Sequence, residues 1–376
     1  MNSPSDAPRK PRVAVVFGGR SSEHAISCVT AGSVLAAIDT EAYDVVPIGI
    51  AVDGRWVLES GDPERLRIES PDRLPQVDGD RATIALSPDR ASTDLVVTEP
   101  SQPPRTLGEV DVVFPLLHGP WGEDGTIQGM FEMAGVRYVG AGVLASAVSM
   151  DKAYMKVVLA AAGLPVMPSV TVTAREWAAD QVGCRARVDA LGYPLFAKPA
   201  RGGSSIGISK VHDGSELDDA LAEAFREDPK VLLEVSAEGA REVECGVLQA
   251  LDGTPETSLP AELRVGGDHE FYDFAAKYLP GEHTEIDIPA DLRDETAARL
   301  RAMAATAFEA VGCEGLARVD FFLLPDGNLV VNEINTMPGF TPTSMYPQMW
   351  AASGVDYPAL VDRLIQLALA RDTGLR

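Results

Sequence analysis

The spacing of apolar runs along the chain predicts that it opens as an α/β domain. The apolar run Val13 to Phe17 stops at two glycines, and the segment from about Ser22 to Ile38 has helical periodicity. Val45 to Ile50 and Val110 to Leu117 are typical of further buried strands. A strand, a glycine turn and a helix in this order predict a parallel sheet covered by helices. The stretch from Ser60 to Pro104, rich in Pro, Asp and Arg, is predicted to be a surface insertion with weak strands.

The rest of the chain divides into two more units, as expected for 376 residues, a length at which one hydrophobic core stops growing. A helical pattern from Met150 to Ala162 ends at a glycine and a proline and separates the units. The later predicted elements are strands at 195–198, 206–211 and 231–234, a helix at 215–225, a loop at 266–285 and a helix at 294–311. The predicted domains are residues 1–145, 146–240 and 241–376.

A hairpin near the C-terminus is predicted to carry four polar side chains on one face. Two apolar strands, Val319 to Leu323 and Leu329 to Ile334, flank a Pro-Asp-Gly-Asn turn. Opposed residues of an antiparallel pair have a constant index sum, and side chains alternate between faces. With the Asp-Gly pair at the tip, Asp320 faces Glu333 and Arg318 faces Asn335. The opposite, core face is predicted to carry Val319, Phe321, Leu323, Val330 and Ile334.

The facing carboxylates of this hairpin indicate a divalent-cation site. Carboxylates directly opposite each other, with Cβ atoms about 5 Å apart, repel, and a cation between them removes the repulsion. The oxygen ligands Asp320, Glu333 and Asn335 favour magnesium or manganese over zinc. The alternative is that Arg318 simply neutralises the pair. That alternative explains neither the amide of Asn335 nor the Met-Pro-Gly sequence that follows it.

A glycine-rich loop, Arg201-Gly-Gly-Ser-Ser205, is a candidate phosphate cradle. Its glycines free the backbone to turn N–H groups toward an anion, and its hydroxyls add donors. Lys198 lies at the end of the preceding strand, within reach of the same anion. The alternative is a flexible hairpin tip with a solvated lysine. No P-loop motif occurs in the chain.

Two other glycine motifs are set aside. The sequence at 140–145 fits the dinucleotide pattern G-x-G-x-x-A, but positions 160–170 lack the acidic residue that binds the ribose. The sequence at 203–207 fits the hydrolase pattern G-x-S-x-G, which requires a helix directly after the serine, whereas a strand is predicted here.

The net charge and the cysteines indicate which binding partners and which cellular compartment to expect. Lys and Arg total 32 against 56 Asp and Glu, a net charge of −24, which repels nucleic acids and anionic membranes. The apolar run after residue 12 is too short for a signal peptide, and no run approaches the roughly 20 apolar residues of a membrane span. Four scattered cysteines without a CxxC pair predict reduced thiols, and we expect a cytoplasmic protein.

Six motifs follow one another along the chain: Val16-Phe-Gly-Gly-Arg-Ser-Ser-Glu-His-Ala-Ile-Ser27, Leu117-His-Gly-Pro-Trp-Gly-Glu-Asp-Gly-Thr-Ile-Gln-Gly129, Ser149-Met-Asp-Lys152, Ala197-Lys-Pro199, Phe271-Tyr-Asp-Phe-Ala-Ala-Lys-Tyr278 and Arg318-x-Asp320…Glu333-x-Asn335-Thr-Met-Pro-Gly339. In this order they resemble the D-alanine–D-alanine ligase family of the ATP-grasp superfamily over nearly the whole chain. The resemblance implies an α/β (α+β), three-domain ATP-grasp fold whose N-terminal domain has a parallel sheet. It also implies a homodimer that makes D-alanyl-D-alanine for peptidoglycan from ATP and D-alanine.

The same resemblance implies roles for individual residues. ATP would be bound by Lys152, Lys198, Gly203, Ser205, Glu234 (adenine) and Glu242 (ribose), and a pair of magnesium or manganese ions by Asp320, Glu333 and Asn335. Arg318 and the Gly339 N–H would stabilise oxyanions. The amino-acid side would comprise Glu23, Ser204 and Tyr278 as a hydrogen-bonded triad, with His118, Lys277 and Ser344 nearby. Many family members carry a lysine where this chain has Val235, so the adenine contact there would be main-chain.

Two alternatives to this interpretation lie close at hand. D-alanine–D-lactate ligases resemble the chain elsewhere but carry a histidine in place of the Lys277-Tyr278 pair, and His269 and His283 lie in the same loop. An ATP-grasp module that binds without catalysis would not need the full set of lysine, arginine and carboxylate residues. Phosphate release that depends on D-alanine discriminates an enzyme from such a module.

Overall fold

The computed structural model describes residues 9–68, 70, 73–87, 92–203, 206–265 and 284–374. The described residues form two compact units, the first from the described parts of 1–117, 126–140 and 356–376, the second from 118–125 and 141–355. Four residues of the expected site, Ser204, Ser205, Lys277 and Tyr278, lie outside the described residues, as does most of the predicted loop at 266–285.

Helices and strands alternate along the described parts of the chain. The helices are α1 His24–Ala37, α2 Thr126–Ala134, α3 Val143–Met150, α4 Lys152–Ala161, α5 Ala174–Ala179, α6 Gln181–Asp189, α7 Leu217–Glu227, α8 Asp294–Ala310, α9 Met345–Ala352 and α10 Tyr357–Ala370, with a 3₁₀ helix at Pro63–Leu66. The strands are β1 Arg12–Gly18, β2 Asp44–Ile50, β3 Trp56–Leu58, β4 Thr83–Leu86, β5 Asp94–Thr98, β6 Arg105–Glu109, β7 Val112–Pro115, β8 Arg137–Tyr138, β9 Ser169–Thr173, β10 Leu195–Pro199, β11 Ser209–Val211, β12 Lys230–Val235, β13 Arg241–Gln249, β14 Pro255–Thr257, β15 Ala261–Val265, β16 Thr284–Asp287, β17 Leu316–Leu323 and β18 Leu329–Asn335. Among them no helix is long and apolar enough to cross a membrane.

The first unit contains the predicted parallel sheet. Its strand order is β6-β5-β4-β3-β2-β1-β7-β8, and β1 pairs in parallel with both β2 and β7. Strand β1 is almost entirely buried, because helices cover both faces of a parallel sheet and leave no polar side. The α/β opening predicted from the sequence is therefore confirmed.

The segment predicted as a surface insertion extends this sheet. Strands β4, β5 and β6 pair antiparallel in sequence and reach the parallel part through β3. Ile84, Leu95 and Val97 are buried while their neighbours along the strand are more exposed. This alternation is typical of an antiparallel sheet with one covered face, so the weak strands are part of the domain core.

The C-terminal helix α10 completes the first unit. Its buried face comprises Leu360, Val361, Leu364, Ile365, Leu367 and Ala368. The hydroxyl of Tyr43 donates to Asp362 at 2.5 Å, and Arg371 donates to the main-chain oxygens of Tyr138 and Gly140 at 3.1 and 2.8 Å. The chain thus leaves this unit after Gly140 and returns to it at Asp356.

The second unit contains two antiparallel sheets, with strand orders β11-β10-β12-β9 and β16-β15-β13-β17-β18, and β14 pairs with β13. The helical pattern predicted from Met150 to Ala162 is confirmed as helix α4, which begins at Lys152. Met150 is instead the last residue of α3, because Asp151 has an extended backbone and its carboxylate caps α4 by accepting from the N–H groups of Ala153 and Tyr154. The strand predicted at 206–211 begins only at Ser209, since Gly207 takes a positive φ of 70° in a turn.

Candidate active site

The hairpin of β17 and β18 has the predicted register where the polar residues lie. Arg318 pairs with Asn335 and Asp320 pairs with Glu333. The turn closes as expected, with the Asn328 N–H donating to Asp326 at 2.9 Å. Side chains of one strand alternate, so these four polar residues share a face.

A β-bulge interrupts the hairpin one residue further on. The register shifts between Asp320 and Phe321, so that Phe321 pairs with Val331 and Asn332 is the extra residue. The prediction that Val330 joins the core face was wrong for this reason. Val331 takes its place on that face and packs with Val319, Phe321, Leu329 and Ile334. Val330 pairs with Phe322 and is buried on the opposite face.

Arg318 is held by two carboxylates. Its guanidinium donates to both oxygens of Asp320 at 2.7 Å and lies 2.9 Å from Glu244 on the neighbouring strand β13. Burial works to lower the pKa of Arg318, but the negative charges of Asp320 and Glu244 outweigh it and raise that pKa well above its ordinary value. Asn335 adds a further bond, from its Nδ2 to Asp320 at 3.0 Å.

Glu244 is an acidic residue of the site that the sequence reasoning missed. It lies opposite Asp320, which in turn lies opposite Glu333, so three carboxylates form a row across β13, β17 and β18. The alternation Glu242-x-Glu244 in an otherwise apolar strand was the available signal. In the described part of the chain, no three His, Cys, Asp or Glu side chains converge closely enough to hold a metal ion unaided.

Helix α4 brings two lysines to the site from one face, since residues four apart lie one turn above each other. Lys152 donates to the main-chain oxygen of Gly202 at 2.9 Å and lies 3.3 Å from Glu333. Lys152 therefore links the main chain at Gly202, the residue before Gly203, to Glu333 of the hairpin. The capping residue Asp151 forms an ion pair with Lys230 at the start of the same helix.

The second lysine of this face, Lys156, was also missed from the sequence. Its side chain is 5% exposed and is paired with Oε1 of Glu234, whose side chain is 2% exposed. Lys198 binds the other oxygen, Oε2, at 2.6 Å. Glu234 thus lies between two ammonium groups, one from a helix and one from β10.

The charges of this lysine pair influence each other strongly. Burial raises the pKa of Glu234, but the nearby Lys198 and Lys156 outweigh burial and lower it. Burial lowers the pKa of Lys156, and the positive charge of Lys198 lowers it further. For Lys198, the attraction of Glu234 exceeds the effect of burial and raises the pKa. One carboxylate between two ammonium groups leaves a surplus positive charge.

The loop at 118–125 forms hydrogen bonds with the main chain of Met337, just after the hairpin. Nδ1 of His118 lies 3.2 Å from the main-chain oxygen of Met337, and Glu123 accepts from the N–H groups of Gly119 and Met337 at 2.7 and 3.2 Å. His118, Asp320, Glu333 and Asn335 are therefore brought into one unit.

The turn around Gly339 is closely packed. A Cβ atom at Gly339 would lie 3.2 Å from the hydroxyl oxygen of Ser344, and that same oxygen accepts from the Thr341 N–H at 3.1 Å. Ser344 precedes helix α9 and orders this turn.

Glu242, the residue expected to bind the ribose, lies on β13 between Leu263 and Phe322 of the neighbouring strands.

Glu23 belongs to the first unit, where it is buried just before α1. The next residue, His24, fixes the turn in front of the helix. Nε2 of His24 accepts from the Val77 N–H at 3.1 Å, so Nδ1 carries the hydrogen and donates to the oxygen of Gly19 at 2.6 Å. The structure places Glu23 at the turn that precedes α1 in the first unit.

The fold and the gathered lysines, arginine and carboxylates define an ATP-dependent ligase of the ATP-grasp class. Residues 12–141 match the family described as D-ala D-ala ligase N-terminus, and residues 158–366 match D-ala D-ala ligase C-terminus. The chain belongs to the D-alanine–D-alanine ligase family.

Individual relatives agree with this membership. A D-alanine–D-alanine ligase of Arthrobacter sp. (strain FB24) is 60% identical over 98% of this chain and 96% of its own length. Solved structures of the VanG D-Ala:D-Ser ligase from Enterococcus faecalis and the D-alanine–D-alanine ligase from Coxiella burnetii are each 36% identical, with TM-scores of 0.82 and 0.78. Both cover 96% of this chain, over 100% and 94% of their own lengths.

Proposed function

We propose that this chain joins two D-alanine molecules at the expense of ATP, yielding D-alanyl-D-alanine, ADP and phosphate for peptidoglycan precursors. The carboxylate of the first D-alanine attacks the γ-phosphorus of ATP and becomes an acyl phosphate. The amine of the second then attacks that carbonyl, and phosphate leaves. The observation that carries the proposal is the 60% identity to a D-alanine–D-alanine ligase over 98% of this chain. The lysines, the arginine and the carboxylates gathered at the candidate site support it.

The charged residues suit both steps, because each develops negative charge on oxygen and is accelerated by preorganised cations and N–H donors. Lys152 and Lys198 would bind the phosphates, with Gly203 and Ser205 in the loop beside them. Arg318 and the Gly339 N–H would face the oxygens on which charge develops. Arg318 is well suited because its partners hold the guanidinium in one orientation.

Asp320, Glu333 and Asn335 would hold magnesium or manganese, as a pair of ions. The donor set fits, because these are hard oxygen ligands and magnesium is usually bound by one or two carboxylates together with substrate phosphates. When bound, such ions supply positive charge to the phosphate oxygens.

The roles on the amino-acid side are proposed from the family resemblance. Glu23 would bind the ammonium of the first D-alanine, and His118 would contact the amino-acid substrate. Ser344 and Lys277 would bind the carboxylate of the second D-alanine or the phosphates. Ser204, Lys277 and Tyr278 would complete and close this side. Glu234 and Glu242 would bind the adenine and the ribose.

The remaining proposals concern the whole chain. We propose functional domains at residues 1–145, 146–240 and 241–376, a homodimer and a cytoplasmic location. The location is supported by four free, buried cysteines and by the demand for ATP.

The test of the function is phosphate release from the purified protein mixed with ATP, magnesium and D-alanine, with L-alanine as the control. We expect release with D-alanine only, and D-alanyl-D-alanine as the product by mass spectrometry. Absence of D-alanine-dependent release would refute the proposal.

A second candidate, a different second substrate, is favoured by the likeness to a D-Ala:D-Ser ligase. We expect D-serine and D-lactate to be poor second substrates at neutral pH, because identity to a D-alanine–D-alanine ligase is much higher, 60% against 36%. Competition with equal D-alanine, resolved by mass spectrometry of the products, measures this preference. Efficient D-alanyl-D-lactate or D-alanyl-D-serine synthesis would reverse it.

A further inference from the structure

Lys156 is a buried lysine that the proposed reaction does not use. It lies on α4 one turn after Lys152, and its side chain is 5% exposed. A buried ammonium is costly unless paired, so a residue of this kind needs a reason to be there.

Two oxygen atoms from different sheets lie against the Lys156 ammonium, one in an ion pair and one in a hydrogen bond. One is Oε1 of Glu234 on β12, and the other is the main-chain oxygen of Asn332 on β18, at 3.3 Å. Asn332 is the extra residue of the bulge, which has no partner residue across the hairpin. The bulge therefore supplies an acceptor for Lys156.

The two lysines on Glu234 are not equivalent. Lys156 is fixed at a second point by the bulge, and its side chain is 5% exposed. Lys198 binds Oε2, is 13% exposed and lies over the ring of Phe196, 5.6 Å from its centre. Lys198 is thus the more accessible of the two, on the strand that leads into the glycine-rich loop.

We propose that Lys156 is a positioning residue that stays on Glu234 when Lys198 leaves it for the nucleotide phosphates. This inference rests on the proposed function. Departure of Lys198 frees Oε2, while Lys156 on Oε1 keeps the carboxylate charged and oriented. The freed oxygen then accepts an N–H from the amino group of adenine.

The charge balance supports this exchange. With both lysines on one carboxylate, the cluster has one surplus positive charge, which attracts a polyphosphate. Once Lys198 is paired with phosphate, Lys156 and Glu234 remain as a neutral pair. Without Lys156, Lys198 would be the sole cation on a buried carboxylate, and its removal would leave that charge unpaired.

The experiment compares Lys156→Met, Glu234→Gln and the double variant in steady-state kinetics with ATP and with ITP, which lacks the amino group. For Lys156→Met we expect KM for ATP to rise about 10-fold or more, since a charge-assisted hydrogen bond is lost. KM for D-alanine should change less than about 2-fold. The preference for ATP over ITP should fall, which loss of packing alone would not cause. In the double variant, Lys156→Met should add little to Glu234→Gln.

Controls separate the outcomes. Lys10→Met alters an exposed lysine of the first unit and should leave the kinetics unchanged. Circular dichroism and thermal melting report folding, and Lys156→Gln, which keeps a donor, replaces Lys156→Met if the latter does not fold. An unchanged ATP preference, or effects that multiply in the double variant, would overturn the role of Lys156. A wild type without D-alanine-dependent phosphate release would instead overturn the proposed function.

Discussion

The cations and carboxylates at the centre of the candidate site are paired unevenly in the structure. Arg318 serves Asp320 and Glu244, Lys152 serves Glu333, and Lys156 and Lys198 share Glu234. These four cations and four carboxylates balance locally, although the whole chain has a net charge of −24. The balance is uneven within the site. The surplus negative charge lies at Asp320, Glu244 and Glu333, where divalent cations are proposed to bind, and the surplus positive charge lies on the two lysines of Glu234, which would attract the nucleotide phosphates.

At the residue scale, Glu333→Ala tests the metal assignment. It removes a proposed ligand and the partner of Lys152, so we expect kcat to fall at least about 100-fold. The magnesium concentration that gives half-maximal rate should also rise. Glu333 lies on a partly exposed face of the hairpin, so the melting temperature should change by only a few degrees.

A matched control for Glu333→Ala lies on the same hairpin. Asp326→Asn alters the exposed tip, where the side chain accepts from the Asn328 N–H, and an amide oxygen can keep that bond. Activity and magnesium dependence should match the wild type. If Glu333→Ala retained wild-type turnover, Glu333 would not be a metal ligand.

The prediction of which polar residues face each other was confirmed on the hairpin, whereas residues whose partners lie on distant elements were missed. Asp320 and Glu333 follow from alternation about a recognisable turn. Lys156 does not, because its partner Glu234 lies many residues away, and a lysine within a helical pattern normally faces solvent. Glu244 was missed because its neighbour Asp320 belongs to a strand far along the chain.

At the element scale, the hairpin shows what a pairing rule can and cannot predict. The turn sequence fixes which residues face each other only if no residue is inserted. The bulge at Asn332 moves every pair nearer the tip by one position, while the pairs of Arg318 and Asp320 keep the simple rule. The bulge could not be predicted, because its stabilising contact comes from Lys156 on another element.

Helix α4 depends on a single cap that also neutralises a lysine. Asp151 accepts two backbone N–H bonds and pairs with Lys230, and the helix carries Lys152 and Lys156. Asp151→Ala should lower the free energy of unfolding by about 1–2 kcal/mol or more, because the cap is lost and Lys230 loses its partner. KM for ATP should rise as well, since the helix start positions Lys152. Urea denaturation and initial-rate kinetics measure the two effects.

Asp356→Ala is the matched control for this cap. Asp356 caps α10 by accepting from the Ala359 N–H at 2.9 Å, so its loss should cost about 1 kcal/mol. KM for ATP should stay unchanged, because α10 belongs to the first unit. An equal rise in KM for both variants would mean that general destabilisation, not the start of α4, sets ATP binding.

At the scale of the whole molecule, the reactivity of the four buried cysteines measures whether the core is folded. Burial raises the pKa of Cys28 and of Cys245 to about 12, so both are neutral thiols at pH 8. From the ordinary value of 9.0, this shift lowers the reactive thiolate fraction about 1000-fold. Ellman's reagent should label no thiol of the native protein within minutes and four after denaturation. Rapid labelling before denaturation, or fewer than four thiols after it, would contradict this assignment.

The return of the chain to the first unit predicts that residues 1–140 do not fold alone. Leu360, Val361, Leu364 and Ile365 are at most 1% exposed, and each buried side chain of this size contributes about 1.5–3 kcal/mol. Their sum is comparable to the whole stability of a domain. In a chain ending at Val355, the first unit should therefore no longer melt cooperatively. That shortened protein should also have no ligase activity.

A chain ending at Asp372 is the control for this truncation, because it keeps α10 and the bonds of Arg371 to Tyr138 and Gly140. It should melt and turn over like the full-length protein. Calorimetry resolves the two cases, because loss of α10 removes the enthalpy of the first unit while the control retains it. Wild-type melting of the chain ending at Val355 would show that β1, β2 and β7 suffice to hold the first unit together. The α/β pattern at the start of the sequence would then be enough to specify a stable domain. We expect instead that this domain becomes stable only when α10 packs against it.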